Sequence, residues 1–594
     1  MGVPQGSILS VTLFTLKINS IVKSLPPNIQ CSLYVDDFLI CYRSKNMNSI
    51  ERLLQLCLNN IQSWADENGF QFSKTKTVCM HFCQKYTLHN DPDIKIYGST
   101  IPVVEEYKFL GLYFDKKLNF IPHIRYLKNR CLKAMNLLKV VAHKDWGADC
   151  ATLLKLYRSL VRSKLDYGCI VYGSARDSYL QSLDRVQNAA LRICLGAFRT
   201  SPIPSLHVEA GELPPDLRRQ KLTLQFITKL KSNPSNPAYK CVFQPSYALL
   251  FEARPSVIPS LGVRVKQHLS DSEISLDLVA QTAISPIPPW MLQPPEFIFD
   301  LHLIGSKSET PSYVFHTGLN QILSNFDGFT RLYTDGSKDG PSVAAAAICG
   351  TRIIIKRLPN HSSIFSAEAR AILLALETIE LFNNDRFLLM TDSMSCLQSI
   401  EGRMLNHPII LDIVLRIHQL LSDGKRLIFL WVPSHIGIAG NTAADAAAKA
   451  ALSLPETDLP VPYSDLYPCV SVHIARRWQQ SWDTETNNKL HSIEPKLKLP
   501  KPYNLPRRDE LLIHRLRIGH THLTHAYLLK RENPPECVQC QVPLTVEHIL
   551  LDCVDFNFIR QKHFSVTTLT DLFNKTQPRT IIDFIKEIGL HRKL

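Results

Sequence analysis

Residues 330–358 read TRLYTDGSKDGPSVAAAAICGTRIIIKRL, three apolar runs separated by glycine-bearing turns. Residues 330–334, 343–349 and 352–358 are predicted as successive strands, because short runs rich in apolar and β-branched residues bounded by Gly, Asp and Ser are what a strand-turn-strand sequence needs. Outward from there the period changes. Residues 363–382 and 409–421 carry apolar residues at helical spacing, as do residues 394–400 and the alanine-rich 439–452, while 387–391 and 427–432 are further strands. Three strands followed by alternating helices and strands build a mixed sheet flanked by helices, here over residues 326–454.

That unit places four carboxylates in a meaningful order. Asp335 closes the first strand, and Gly336 after it lets the backbone come close to a bulky ligand. Glu368 lies on a helix in line with Ile372, Ala375 and Ile379, the face that packs on the sheet, where an unpaired carboxylate is costly. Asp392 closes another strand and Asp445 opens the last helix. Taken alone, an Asp at a strand end followed by Gly or Ser, as Asp335 and Asp392 are, reads as a turn residue. Four carboxylates from two strand ends and two helices suit two divalent cations about 3.5–4 Å apart, which need several converging oxygen ligands.

The strings TDGS (334–337), SAEARAILLAL (366–376), TDS (391–393) and WVPSHIGIAGNTAAD (431–445) resemble the type 1 ribonuclease H family over its whole length. The resemblance implies endonucleolytic hydrolysis of the RNA strand of RNA/DNA hybrids by a two-metal mechanism with Mg²⁺ or Mn²⁺. It carries the catalytic carboxylates onto Asp335, Glu368, Asp392 and Asp445, and the histidine that assists proton movement or product release onto His435. Gly336 and Ser337 fall where the family touches RNA, and Ser393 and Asn441 are further substrate-binding candidates.

The beginning of the chain reads GVPQGS (2–7), and residues 34–37 read YVDD. Two adjacent aspartates on a hairpin between apolar strands repel one another unless a cation neutralises them, although a lone pair is also compatible with an ordinary turn. With KTKT (74–77), FLG (109–111), Tyr167-Gly168 and DRVQNAALRICLGAFRTSP (184–202), these strings resemble the reverse transcriptase of Jockey-like non-LTR retrotransposons. The polymerase-type residues are then Gln5, Gly6, Asp36, Asp37 and Lys76. In that family the fingers and another metal-binding aspartate precede the PQG string. The expectation is therefore a truncated palm over 1–125, thumb and connection helices over 126–232, and no DNA polymerisation by this chain alone.

Residues 233–325 are crowded with prolines, among them Pro286, Pro288, Pro289, Pro294 and Pro295, and read as a linker with some local structure. The tail, 463–594, is expected to be mostly helical. Within it Cys537, Cys540, His548 and Cys553 show the CxxC…H…C spacing of a tetrahedral Zn²⁺ site, and together with the Arg-Leu-Arg-Ile-Gly-His string they resemble the tail of the same retroelement reading frames.

The bulk composition agrees with nucleic-acid partners. The 67 Lys+Arg against 53 Asp+Glu leave a net charge of +14, which attracts polyanions. The 16 cysteines are scattered, and the sequence has no secretory leader pattern and no long uninterrupted apolar run, so a reducing intracellular setting without a membrane anchor is expected. The fold class expected is multidomain α+β and α/β, with RNA/DNA hybrid, RNA and DNA as partners. The rival reading is a catalytically inactive nucleic-acid-binding relic. The sequence discriminates between them in part: all four carboxylates of the 326–454 unit are present, of which a freely drifting relic would more easily have lost one, whereas the polymerase set is incomplete.

Overall fold

The structure is a computed structural model that describes residues 6–83, 90–246, 248–253, 259–272, 274–500 and 502–594. The chain divides into two compact units, residues 1–137 with 172–186 and residues 138–171 with 187–594. No helix among the described residues is long and apolar enough to cross a membrane.

In the first unit, β1 (Gln30–Tyr34) and β2 (Asp37–Cys41) form an antiparallel hairpin that pairs Tyr34 with Asp37. Helix α1 (Met47–Asn68) begins at Asn46, whose side chain accepts the Asn48 amide, and so satisfies one of the helix's free donors. Its buried stripe of Cys57, Ile61, Trp64 and Ala65 has helical spacing and packs with Ile18, Ile21 and the half-buried Leu33, Phe38 and Ile40. This core is small. Ile8, Leu9, Val11, Leu16 and Tyr34 remain exposed.

The second unit is built on a six-stranded sheet. Its strands are β3 (Glu296–Ile298), β4 (Thr330–Asp339), β5 (Ser342–Cys349), β6 (Arg352–Leu358), β7 (Arg386–Thr391) and β8 (Arg426–Trp431), in the order β6-β5-β4-β7-β8-β3. The β6-β5 and β5-β4 pairs are antiparallel, and β4-β7, β7-β8 and β8-β3 are parallel. The helices are α2 (Ser312–Leu323), α3 (Ile364–Ile379), α4 (Met394–Glu401), α5 (Pro408–Ser422) and α6 (Ala439–Ala451). The central strands are almost wholly apolar because both faces are covered. Phe387, Leu389, Leu427 and Phe429 share one core with α3, α4 and α5, whereas Leu388, Met390, Ile428 and Leu430 share another with Phe315 and Leu319 of α2.

The proline-rich stretch differs from the linker expected of it. Its residues 296–298 are β3 and residues 312–323 are α2, so it supplies both a strand and a covering helix. The prolines exclude an interior strand, but β3 stands at the sheet edge and is paired on one side only, along β8. Earlier in the same stretch, Val242 and Val265 pack with the helix Pro215–Lys231.

The tail is joined to the helices that precede the sheet. Leu466, Val470 and Ile474 of α7 (Leu466–Asp483) pack against Leu217, Leu224 and Ile227. The buried Glu209 bonds His514 Nδ1 at 2.8 Å and Arg517 Nε at 3.1 Å, both on α8 (Arg507–Ile518). Burial opposes the ionisation of Glu209, yet Arg517 and His514 outweigh it and hold the carboxyl down to about 2.

Candidate active site

Three elements deliver carboxylates to one point. Asp335 is in β4, Glu368 on the first turns of α3 and Asp392 directly after β7, and one ligand oxygen from each lies within 4.8 Å of the others. β4 and β7 are parallel neighbours, with Thr334 opposite Thr391, so the two aspartates follow adjacent positions of one register. Helix α3 begins at Ser363, whose hydroxyl accepts the Ser366 amide at 3.1 Å. Glu368 follows one turn later, facing the sheet. Gly336 makes the approach possible, since a Cβ there would stand 2.7 Å from the Glu368 amide nitrogen and 2.9 Å from Ala367 Cβ.

The electrostatics are those of a carboxylate cluster whose repulsion its cationic neighbours offset only in part. Burial, then Asp392 and Asp445, push the Asp335 carboxyl up to about 8, and Lys449 opposes them. Burial raises Glu368 well above the carboxylate range, with Asp335 and Asp392 adding to it and the Gly336 amide counteracting. Asp392 is raised by burial against the opposing Asn441 amide and His435. Glu368 Oε2, Thr334 Oγ1 and Asn441 Oδ1 are buried without a hydrogen-bond partner among the described residues. Buried oxygens left unpaired in a cluster of carboxylates fit a divalent cation, which would satisfy them and reverse the mutual repulsion.

The other expected residues surround this triad. Asn441 Nδ2 stands 3.4 Å from Asp392 Oδ2, and the Trp431 indole donates to the Asp392 carbonyl oxygen at 3.0 Å. Asp445 is outside the triad; its Oδ2 accepts from Lys449 Nζ at 2.8 Å. Ser337 and Ser393 are buried beside the two aspartates in sequence. His435 is exposed, with a left-handed φ of +55°, in the loop between β8 and α6. Lys449 and Trp431 were not singled out from the sequence. The four-residue spacing of Asp445 and Lys449 on one helix was available as a signal for the first of them.

The polymerase-type residues are not gathered in this way. Asp36 and Asp37 occupy the exposed β1-β2 turn, and among the described residues neither belongs to a cluster of three potential metal ligands. Gly6 and Lys76 are exposed as well, and Gln5 lies outside the described residues.

In the tail, ligand atoms of Cys537, Cys540, His548 and Cys553 all lie within 4.8 Å of one another. Cys537 Sγ and Cys553 Sγ are 3.8 Å apart, and His548 Nε2 is buried with no hydrogen-bond partner among the described residues. The Cys540 backbone amide and then His548 draw the Cys537 thiol down, while burial pushes Cys553 up. Three sulfurs and one free imidazole nitrogen fit a tetrahedral zinc ion.

Residues 328–453 match the RNase H family profile, and residues 1–114 match that of reverse transcriptase (RNA-dependent DNA polymerase). The chain is 29% identical over 241 residues to a retrovirus-related Pol polyprotein from type-1 retrotransposable element R1 of Bradysia coprophila, covering 39% of this chain and 24% of the relative. It is 26% identical over 249 residues to the RNA-directed DNA polymerase from mobile element jockey of Drosophila melanogaster, covering 40% and 26%. The chain thus matches only about a quarter of the length of these two relatives. Among solved structures, RNase H1 from Halobacterium salinarum NRC-1 is 26% identical, covering 21% of this chain and 98% of its own, with a TM-score of 0.18. The chain therefore carries a reverse transcriptase segment and a ribonuclease H domain, and its relatives are the polyproteins of R1 and jockey non-LTR retrotransposable elements.

Proposed function

We infer that residues 328–453 hydrolyse the RNA strand of RNA/DNA hybrids. The observation that carries this reading is the triad of the buried Asp335 with the half-buried Glu368 and Asp392, in which one Glu368 oxygen has no hydrogen-bond partner among the described residues. A buried group of like charges has no folding benefit, and its cost is recovered only by a cation and the chemistry that comes with it.

Asp335, Glu368 and Asp392 would hold one divalent cation, and Asp445, beside Asp335, would contribute to a second. When bound, Mg²⁺ or Mn²⁺ supplies the positive charge that favours a water nucleophile and a departing 3′ oxygen. The chain's own residues do the rest. The Asn441 amide and Trp431 indole fix the Asp392 carboxylate and its backbone. His435, exposed in the loop before α6 and felt electrostatically by Asp392, would take or give a proton. Gly336, Ser337 and Ser393 present a close backbone and small hydroxyls to the nucleic acid, where selectivity for a hybrid rests on the 2′-hydroxyls of one strand. In the tail, Cys537, Cys540, His548 and Cys553 would hold zinc, next to Val546, Ile549 and Leu550 of the tail core.

The test is incubation of the full chain with a labelled RNA/DNA hybrid and Mg²⁺ or Mn²⁺, beside an Asp392→Asn control. The expected result is metal-dependent cutting of the RNA strand alone, absent in the control. Hybrid binding without cutting in either protein would replace this reading with that of a binding protein.

A further inference from the structure

Residues 287–323 precede the stretch that matches the RNase H profile, yet they are built into the sheet that carries its carboxylates. β3 pairs Phe297 with Phe429 of β8, and the two rings stack at 5.4 Å. α2 then crosses to the opposite face of the sheet. There Phe315 and Leu319 are buried with Ile428 and Leu430, and also with Ile436 and Ile438 of the loop that bears His435.

Polar contacts run from this segment to the same loop. His316 Nε2 lies 2.7 Å from the Ile436 carbonyl oxygen; a carbonyl only accepts, so the imidazole carries its proton on Nε2 and donates it. Lys307 Nζ donates to Ser434 Oγ at 3.3 Å. The loop is thereby held on both sides of His435. Ile436 and Ile438 are sunk in the core and the Ile436 carbonyl is tied to α2, while the His435 side chain projects outward from a left-handed φ that histidine adopts uncommonly. A residue in that conformation persists when its neighbours over-determine it.

Resting on the hybrid-hydrolysis reading, we propose that His316 is a positioning residue for His435. Its imidazole, carried outside the family-matched stretch, fixes the Ile436 carbonyl and so sets where the His435 ring stands relative to Asp392. The catalytic unit of this chain accordingly begins near residue 287 rather than at residue 328. The loop is braced from behind by the preceding segment, and His435 moves against a fixed backbone.

The test uses the full chain with His316→Phe, which keeps bulk but removes the donor, and His316→Gln, whose amide can donate to the same carbonyl. Both are compared with His435→Ala and with His435→Ala combined with His316→Phe. The expected result is a kcat about tenfold lower for His316→Phe at unchanged KM, the size of effect seen when an outer partner of a catalytic group is lost. His316→Gln should recover most of it, and His316→Phe should add nothing to His435→Ala. Amide hydrogen exchange over 434–438 should quicken in the phenylalanine variant. An unchanged kcat, or an equal loss in the His435→Ala background, overturns the proposal. If the wild-type protein cuts no hybrid, the functional reading fails instead, and exchange over 434–438 still decides the brace. Should His316→Phe not fold, His316→Asn, too short to reach the carbonyl, takes its place with the same readouts.

Discussion

Lys449 Nζ stands 2.8 Å from Asp445 Oδ2, one helical turn along α6, so that an ammonium group already occupies the charge position that a cation beside Asp335 would share. The lysine also counteracts the repulsion felt by Asp335. On the metal-binding reading it is a tethered monovalent charge that an arriving divalent cation would displace.

Lys449→Met is therefore expected to lower the Mn²⁺ concentration needed for half saturation by about two- to fivefold, the worth of an exposed ion pair. Calorimetric titration of the full chain checks this, with Asp445→Asn in the opposite direction. Equal Mn²⁺ affinity in wild type and Lys449→Met would remove the competition.

Asp335 sets a pH dependence in metal-free protein. Burial and the neighbouring carboxylates push its carboxyl up to about 8 in the fold, against an ordinary value near 4 when unfolded. The folded state then binds more protons, so this contribution to stability is fully present below about pH 4 and is lost as pH rises through about 8. Asp335→Asn should be inactive and, in EDTA, more stable than the wild type at pH 8, with the difference shrinking toward pH 4. Thermal melts of both proteins at several pH values check it. A gap that widens at low pH would contradict the assignment.

Gly336→Ala would place a methyl group 2.7 Å from the Glu368 amide nitrogen and 2.9 Å from Ala367, both in α3. The helix must move away from β4, at a cost of about 1–3 kcal/mol. It also carries Glu368 away from Asp335. Urea unfolding should show the destabilisation, and hybrid cleavage should fall further than stability alone explains at temperatures where the variant is folded.

The tail offers a metal-removal test. Purified full chain should contain zinc in a one-to-one ratio, and Cys537→Ser should lose it. Because Val546, Ile549 and Leu550 beside the cluster belong to the tail core, loss of the ion should lower the melting transition of the tail by about 5–10 °C, or ~2–3 kcal/mol in a unit of this size. Zinc-free protein with wild-type melting would refute the cluster as a metal site.

The regular part of the second unit was legible in the sequence because its signals are local. Residues 343–349 and 352–358 alternate with glycine turns and are found as β5 and β6. Glu368 declared itself by lying in an apolar stripe where no solvated carboxylate belongs. Lys449 obeys the same local logic at i+4 from Asp445. The proline-rich stretch misled for the converse reason. Prolines forbid an interior strand but not a short edge strand, and nothing within 287–325 announces that β8 needs a neighbour.

The sequence by itself determined the strand and helix periods, the residue types that can ligate metal and their order along the chain, since these depend on spacings of a few residues. Only the tertiary structure decided which carboxylates meet, that Asp335, Glu368 and Asp392 form the tight group while Asp445 is turned to Lys449, and that His316 reaches Ile436 across 120 residues. Such contacts follow from how a sheet orders its strands and which helix covers each face. Those choices come from the sum of buried area over the whole unit, and no short window of sequence contains it.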